Sequence, residues 1–338
     1  MEFLRRRLGL IFRAVVSLLA IYWVAHTNDW HQVWLNVLTM KVRWLVAGLI
    51  CFVPTLLTVS WRWRMLLGVH GVHLRFWRVF ELTMIGQFFS TVGVGTTGGD
   101  FFKIFYVTRA VPQHKAAVAF TVIVDRVIGL VALLLFGAIL SFTKLPLLLS
   151  RGETAKLTYT FYFFVLGGGM ASLLACLGPI LLKIEALRVR VNRIMGGRRR
   201  ASLLAAYERT ARAFGINVAA LVGSIPSHMS ITLMGFCVLK AMDLHPDLLA
   251  FYAILAMVNM LIALPISISG VGVREQLFTW FFALLDIDKA HAVVFSLTFF
   301  TLNIVWCLAG GPFYFLYRHE THTPPPNVAE VEPIFSEQ

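Results

Sequence analysis

Charge is what this 338-residue sequence has least of: 14% of residues are Asp, Glu, Lys or Arg, against 58% hydrophobic. A soluble domain carries about 25% charged residues. Several runs of 18 or more residues here hold almost none, the length that spans a hydrocarbon core. Cysteine is scarce too. Cys51, Cys176, Cys237 and Cys307 each lie in an apolar segment and none forms a CxxC pair, so neither a disulfide framework nor a zinc site is supported. No GxSxG elbow, Rossmann fingerprint, P-loop spacing or Ser-His-Asp arrangement occurs. His70 with His73, and His319 with His322, have a metal-compatible spacing, but no carboxylate or Cys set completes either. They read as interfacial or solvated histidines. No cofactor is expected. Acids are outnumbered, giving a net charge of +13. The basic residues fall between apolar spans, which is the positive-inside pattern of a membrane protein and not a nucleic-acid surface.

What is present is an all-α polytopic membrane protein. The N-terminal stretch MEFLRRRLGLIFRAVVSLLAIYWVAH lacks a small-x-small cleavage site and reads as a retained first span, about residues 8–25. Further spans are expected at about 44–61, 116–142, 158–182, 214–239 and 290–317. Two other apolar segments, about 79–110 and 248–286, are interrupted by GVGTTGGD and SGVGVRE. Their halves are short; Glu81 to Val94 is only 14 residues. Re-entrant helical hairpins fit better than paired crossings, because a broken backbone at depth must be buried in protein or line a cavity. With the N-terminus inside, twenty of the 30 Lys and Arg residues fall on inside segments and seven on outside ones. That asymmetry places both termini in the cytoplasm.

The layout implies two inverted-topology repeats, about 8–142 and 158–317, with about six full spans plus the two hairpins. All of it forms one transmembrane domain, residues 1–318. The tail 319–338, with HTPPPNVAEVEP, should be a disordered cytoplasmic segment. The breaks align, Gly95 to Asp100 and Gly270 to Glu275 each placing an acid five residues after a glycine.

Charges inside spans are expensive, about 2.5–3.5 kcal/mol each on insertion scales, and face a bundle interior or a hydrated cavity. Asp100 and Lys103 follow the first break, Asp125 and Arg126 sit in a long span, and Arg274 and Glu275 follow the second break. Asp125 and Arg126 are about 100° apart on a helix, so each needs its own partner. Asp125 with Arg274 or Lys103, and Arg126 with Asp100 or Glu275, are the expected pairs. Such pairs could merely pin the hairpins to the span. The alternative is a polar mid-depth site. Helices starting near Asp100 and near Val273 would aim unpaired N–H groups at a phosphate or carboxylate. SWRWRMLL, Ser60 to Leu67, reads as an aromatic belt with cytoplasmic Arg62 and Arg64, which could meet lipid phosphates, and GGRRR as a basic loop.

TTGGDFFKIFYVTRA (96–110), VDRVIGL (124–130) and LPISISGVGVRE (264–275) together resemble the three motifs of the lysylphosphatidylglycerol synthase transmembrane, flippase-like, family. The resemblance runs from about residue 8 to 317 and implies the cell (inner) membrane. By motif it points to Gly98, Gly99, Asp100, Asp125, Arg126, Pro265, Gly270, Gly272, Arg274 and Glu275. Relatives often have Leu-Pro-Gly at the first break, where this chain reads Val92-Gly93-Val94-Gly95. The best understood members join a flippase unit to a soluble aminoacyl-transferase domain and move aminoacylated phosphatidylglycerol between leaflets. The stretch after Arg318 is too short for that domain, so their passenger is not assumed.

The resemblance and the residues together imply a lipid transporter of flippase or scramblase type and not an enzyme. Its partners would be membrane lipids (phospholipid, aminoacyl lipid or polyprenyl phosphate), with a lipid-modifying enzyme as a further partner and no nucleic acid. Lys103, Arg126 and Arg274 are expected to contact the headgroup, with Gly98, Gly99, Gly270 and Gly272 at the breaks. Asp100, Asp125 and Glu275 would be charge partners or proton carriers. An intramembrane enzyme acting on a lipid-linked substrate, or a scaffold for a lipid-modifying partner, are the alternatives.

Overall fold

The computed structural model describes residues 22, 26, 30–92, 96–181, 198–263 and 272–320. Every regular element among them is helical. The α-helices of nine or more residues are, in chain order, α1 (Trp30–Leu38), α2 (Val42–Val69), α3 (Phe76–Val92), α4 (Thr96–Ala110), α5 (Lys115–Thr143), α6 (Gly152–Leu181) and α7 (Arg198–Arg212). There follow α8 (Phe214–Val222), α9 (Ile225–Ala241), α10 (Leu248–Ala263), α11 (Val273–Phe282), α12 (Lys289–Leu308) and α13 (Gly310–Glu320). Among the described residues, five helical stretches are long and apolar enough to cross a membrane: Val42–Val69, Pro112–Thr143, Gly152–Ala175, Phe214–Ala241 and Lys289–Tyr317. The chain is an all-α polytopic membrane protein. The expected first span, the two glycine-rich breaks at 93–95 and 264–271, and most of the tail lie outside the described residues.

Two compact units divide the chain. The first comprises Met1–Thr55, Leu130–Ala171 and Ile225–Ile304, and the second Leu56–Gly129, Ser172–Ser224 and Val305–Gln338. Each long apolar stretch contributes to both units. The α3–α4 pair belongs wholly to the second, and the α10–α11 pair wholly to the first.

In the second unit the core is Trp63, Leu67, Val72, Val79, Leu82, Ile85, Val107, Val118, Val122 and Tyr317. Helix α2 runs eight residues past the expected end of its span because Trp63, Leu66 and Leu67 are buried there. Its stop is VHGVH. Gly71 takes φ +76°, with Val72 N–H donating to Leu67 C=O (3.1 Å) and Gly71 N–H to Gly68 C=O (3.0 Å). That is a Schellman cap, which needs a left-handed residue. His70 is therefore not a solvated histidine: it is buried, and its Nε2 lies 3.0 Å from Thr210 Oγ1 of α7. Thus GGRRR, expected as a loop, leads into a helix at Arg198, and α7 docks by Thr210 and by the Tyr207 hydroxyl on Ala175 C=O (2.6 Å).

Burial, with Arg209 and His114 nearby, holds the His70 pKa below its ordinary value. The unfolded chain therefore binds more protons in the interval below about pH 6.5. Stability from neutral His70 is complete above that pH and is lost as pH falls towards the folded value. Protection of α7 amides from hydrogen exchange should accordingly drop between pH 7.5 and 5.5, and His70→Gln should flatten that dependence. Equal pH sensitivity in the variant would exclude His70 as the cause.

In the first unit, ten of the sixteen residues of α10 are buried. Phe251, Phe278 and Phe282 converge on Phe295 with centroids 5.6, 5.1 and 4.9 Å away. Asp247 caps α10, its Oδ1 accepting from the N–H groups of Leu249 (2.9 Å) and Ala250 (3.2 Å), while Lys144 pairs with its other oxygen. Asp243 (φ 60°) and Asp286 (φ 55°) end their helices in the left-handed conformation, where Leu244 N–H reaches Leu239 C=O and Ile287 N–H reaches Phe282 C=O.

Candidate functional site

Helices α2, α4 and α5 bring charged side chains together in the second unit. Asp125 is buried and accepts from Arg62 Nε at 2.6 Å; Arg62 Nη1 donates to Ser224 Oγ at 2.8 Å. One turn along α5 from Asp125, Gly129 leaves the room the guanidinium occupies: an added Cβ would stand 3.1 Å from Nη2. The Asp125 partner is thus Arg62, not Arg274 or Lys103. Nor is Arg62 at a cytoplasmic helix end, since α2 continues beyond it to Val69.

Arg126 pairs with Asp100, one of its two expected partners. The Arg126 side chain is 48% exposed and that of Asp100 18%. Around Arg126 the exposed surface is apolar, with Ile123, Val127, Phe101 and Phe105. Helix α4 begins at Thr96 and not near Asp100, so Gly98, Gly99 and Asp100 lie within its first turns. Packing demands a glycine at position 99. A Cβ on Gly99 would fall 2.1 Å from Gly86 C=O and 2.2 Å from Ser90 Oγ, so the hairpin legs touch backbone to backbone here.

Lys103 stands one turn further along α4. Its stem passes over Gly86, where a Cβ would meet Cε at 2.8 Å. The ammonium lies 5.2 Å from the Trp63 ring centroid, and Trp63 Nε1 donates to Thr121 Oγ1 (3.3 Å). Asp125, Asp100, Arg126 and Arg62 are the charges near enough to act on it. Among the described residues no carboxylate forms an ion pair with it.

The second break delivers a different arrangement in the first unit. Gly272, at φ +83°, precedes α11, and its N–H donates to Glu275 Oε2 at 2.6 Å. Only glycine fits that backbone cheaply. Arg274 Nη2 and Nε donate to Glu275 Oε1 (2.5 and 3.1 Å), Nε also reaches Ser296 Oγ (2.9 Å), and Ser296 Oγ donates to the same carboxylate oxygen (3.0 Å). The guanidinium lies 4.1 Å from the Phe300 ring centroid. Arg274, Glu275 and Ser296 are all buried. The adjacent pair closes on itself because Glu275 folds back to cap its own helix. Arg274 does not pair with Asp125. Gly270 and Pro265 lie outside the described residues.

Sequence reasoning does not bring Arg62, Ser224 or Ser296 into these pairs. Extending α2 to its glycine stop would have placed Arg62 inside the helix; the two serines carry no sequence signal.

The motif order 96–110, 124–130 and 264–275 thus supplies both polar sites. No curated protein and no solved structure matches the chain. The family model described as the lysylphosphatidylglycerol synthase TM region matches residues 10–311, most of the sequence. The chain therefore belongs to the lysylphosphatidylglycerol synthase transmembrane-region family.

Proposed function

We propose that this protein moves lipid headgroups between leaflets, as a flippase or scramblase. The observation that carries the reading is the pair Lys103 and Arg126. Charged groups on apolar helices are retained where they face a cavity or a polar ligand. Here one has no carboxylate partner among the described residues, and the other is half exposed on an apolar flank, where a lipid phosphate can reach it from the side. Membership of a membrane lipid-related family supports the same direction. Under this reading Lys103 and Arg126 hold the headgroup, while the Arg62–Asp125 and Arg274–Glu275 pairs keep the helices in place. The inverted repeat belongs to the proposal as well. It is supported by the assignment of the two hairpins to different units. Without Arg62 and Lys103 the Lys/Arg asymmetry still favours cytoplasmic termini, and the family supports an inner membrane.

The test is leaflet exchange of labelled lipids in proteoliposomes. A contact to a charged group is worth about 1.5–3 kcal/mol, so Arg126→Gln and Lys103→Gln should each slow exchange roughly ten- to hundredfold. Undiminished exchange in folded variants would overturn the assignment. Conversion of the labelled lipid to a new species would favour an intramembrane enzyme.

A further inference from the structure

Among the described residues, the polar cluster of the second unit holds three basic residues, Arg62, Lys103 and Arg126, and two acids, Asp100 and Asp125. Both acids are already paired, Asp125 with Arg62 and Asp100 with Arg126. Among the described residues that leaves Lys103 as the basic group with no carboxylate of its own, an excess of one formal positive charge. In the first unit the buried pair Arg274–Glu275 is neutral and adds nothing to that balance. A buried cation is stabilised by an anion and destabilised by a second cation. We propose that the site selects lipids whose headgroup carries net negative charge, a phosphodiester or phosphomonoester without a compensating amine, over zwitterionic and above all over aminoacylated, cationic ones. For movement this rests on the transport reading; for binding it does not.

The donor chemistry suits a phosphate. The Lys103 stem lies over Gly86 and its ammonium lies 5.2 Å from the Trp63 ring centroid. Three rotatable N–H donors on a compact ammonium suit a phosphate oxygen. Arg126, beside an apolar flank of α4 and α5, offers a second donor group on the lipid-accessible side. An amine-bearing headgroup would bring its charge against Lys103 with the two carboxylates already engaged.

The experiment compares phosphatidylglycerol, phosphatidylethanolamine and lysylphosphatidylglycerol as probes of net charge −1, 0 and +1. Binding to the purified full chain is read by native mass spectrometry, and exchange in proteoliposomes is read separately. Phosphatidylglycerol should bind roughly tenfold or more above lysylphosphatidylglycerol. Lys103→Gln should bring the two to parity, Lys103→Glu should invert the order, and Lys103→Arg should keep it. The exposed Lys156→Gln, which also removes one positive charge, should leave the preference unchanged. Equal binding of the three lipids, or a preference that survives Lys103→Gln, overturns the selectivity. Selective binding without exchange of any lipid upholds it and sinks the transport reading. Exchange blind to charge does the reverse.

Discussion

Asp125→Leu should destabilise the protein by about 3–5 kcal/mol, the largest single-residue loss expected here, because it strands the buried Arg62 guanidinium. Arg62 is 5% exposed, and its remaining partner would be the neutral Ser224 hydroxyl. Arg62→Met alone should cost a similar amount by leaving the Asp125 carboxylate without its donor. The double variant Arg62→Met/Asp125→Leu should recover most of the loss, since two apolar side chains of comparable size replace a pair whose desolvation offsets much of its attraction. Ser224 stays satisfied throughout through its bond to Ala220 C=O (2.8 Å). Equilibrium unfolding in detergent of the two single variants and the double gives the coupling energy. Additive losses would show that the two charges do not act as one unit. The cycle also separates stability from transport: a well-folded double variant that still exchanges lipid shows that the pair pins helices and does not handle the headgroup.

The second large effect is steric. Gly99→Ala should cost about 1–3 kcal/mol, and larger residues at this position should prevent folding. The obstacle is the Gly86 carbonyl at 2.1 Å from the new Cβ, a backbone atom that cannot rotate aside. Gly310→Ala should behave alike, meeting the Met84 carbonyl at 2.1 Å. Helix α3 is thus held at close quarters on two sides, by α4 through Gly99 and by α13 through Gly310. Gly167→Ala in α6 provides the contrast, since nothing lies within 4 Å of the added methyl. There the lower helix propensity of glycine predicts no loss or a small gain. Thermal unfolding of the three variants decides the matter; equal effects at 99, 310 and 167 would mean that helix propensity and not contact governs these glycines.

Much of the fold is legible in the amino-acid sequence. Apolar runs locate the long helices, because at 1.5 Å per residue a 28-residue helix such as α2 is an unmistakable pattern. The Arg126–Asp100 pair is one of the two that the sequence leaves open, the other being Arg126 with Glu275. The place of Arg62 is not legible, for a physical reason. The first charges after an apolar run mark a helix end only when they are solvated, and α2 instead continues to a glycine that alone can take the left-handed cap. Arg274 with Glu275 escapes for the opposite reason. Neighbours on a helix point apart in its interior, but in the first turn a carboxylate can bend back to an unpaired N–H and meet the residue before it. The close approach of the Gly99 and Gly86 backbones is a contact that a single sequence does not display.

The Lys103 stem lies in the crossing of α3 and α4, over Gly86 and one turn from Gly99. The residue that carries the unbalanced charge is therefore gripped by the same joint that sets how the two hairpin legs cross. Any sliding of α4 along α3 would carry the ammonium with it, and anything that draws on the ammonium would pull on the hairpin. Ligand charge and hairpin position become two readings of one displacement.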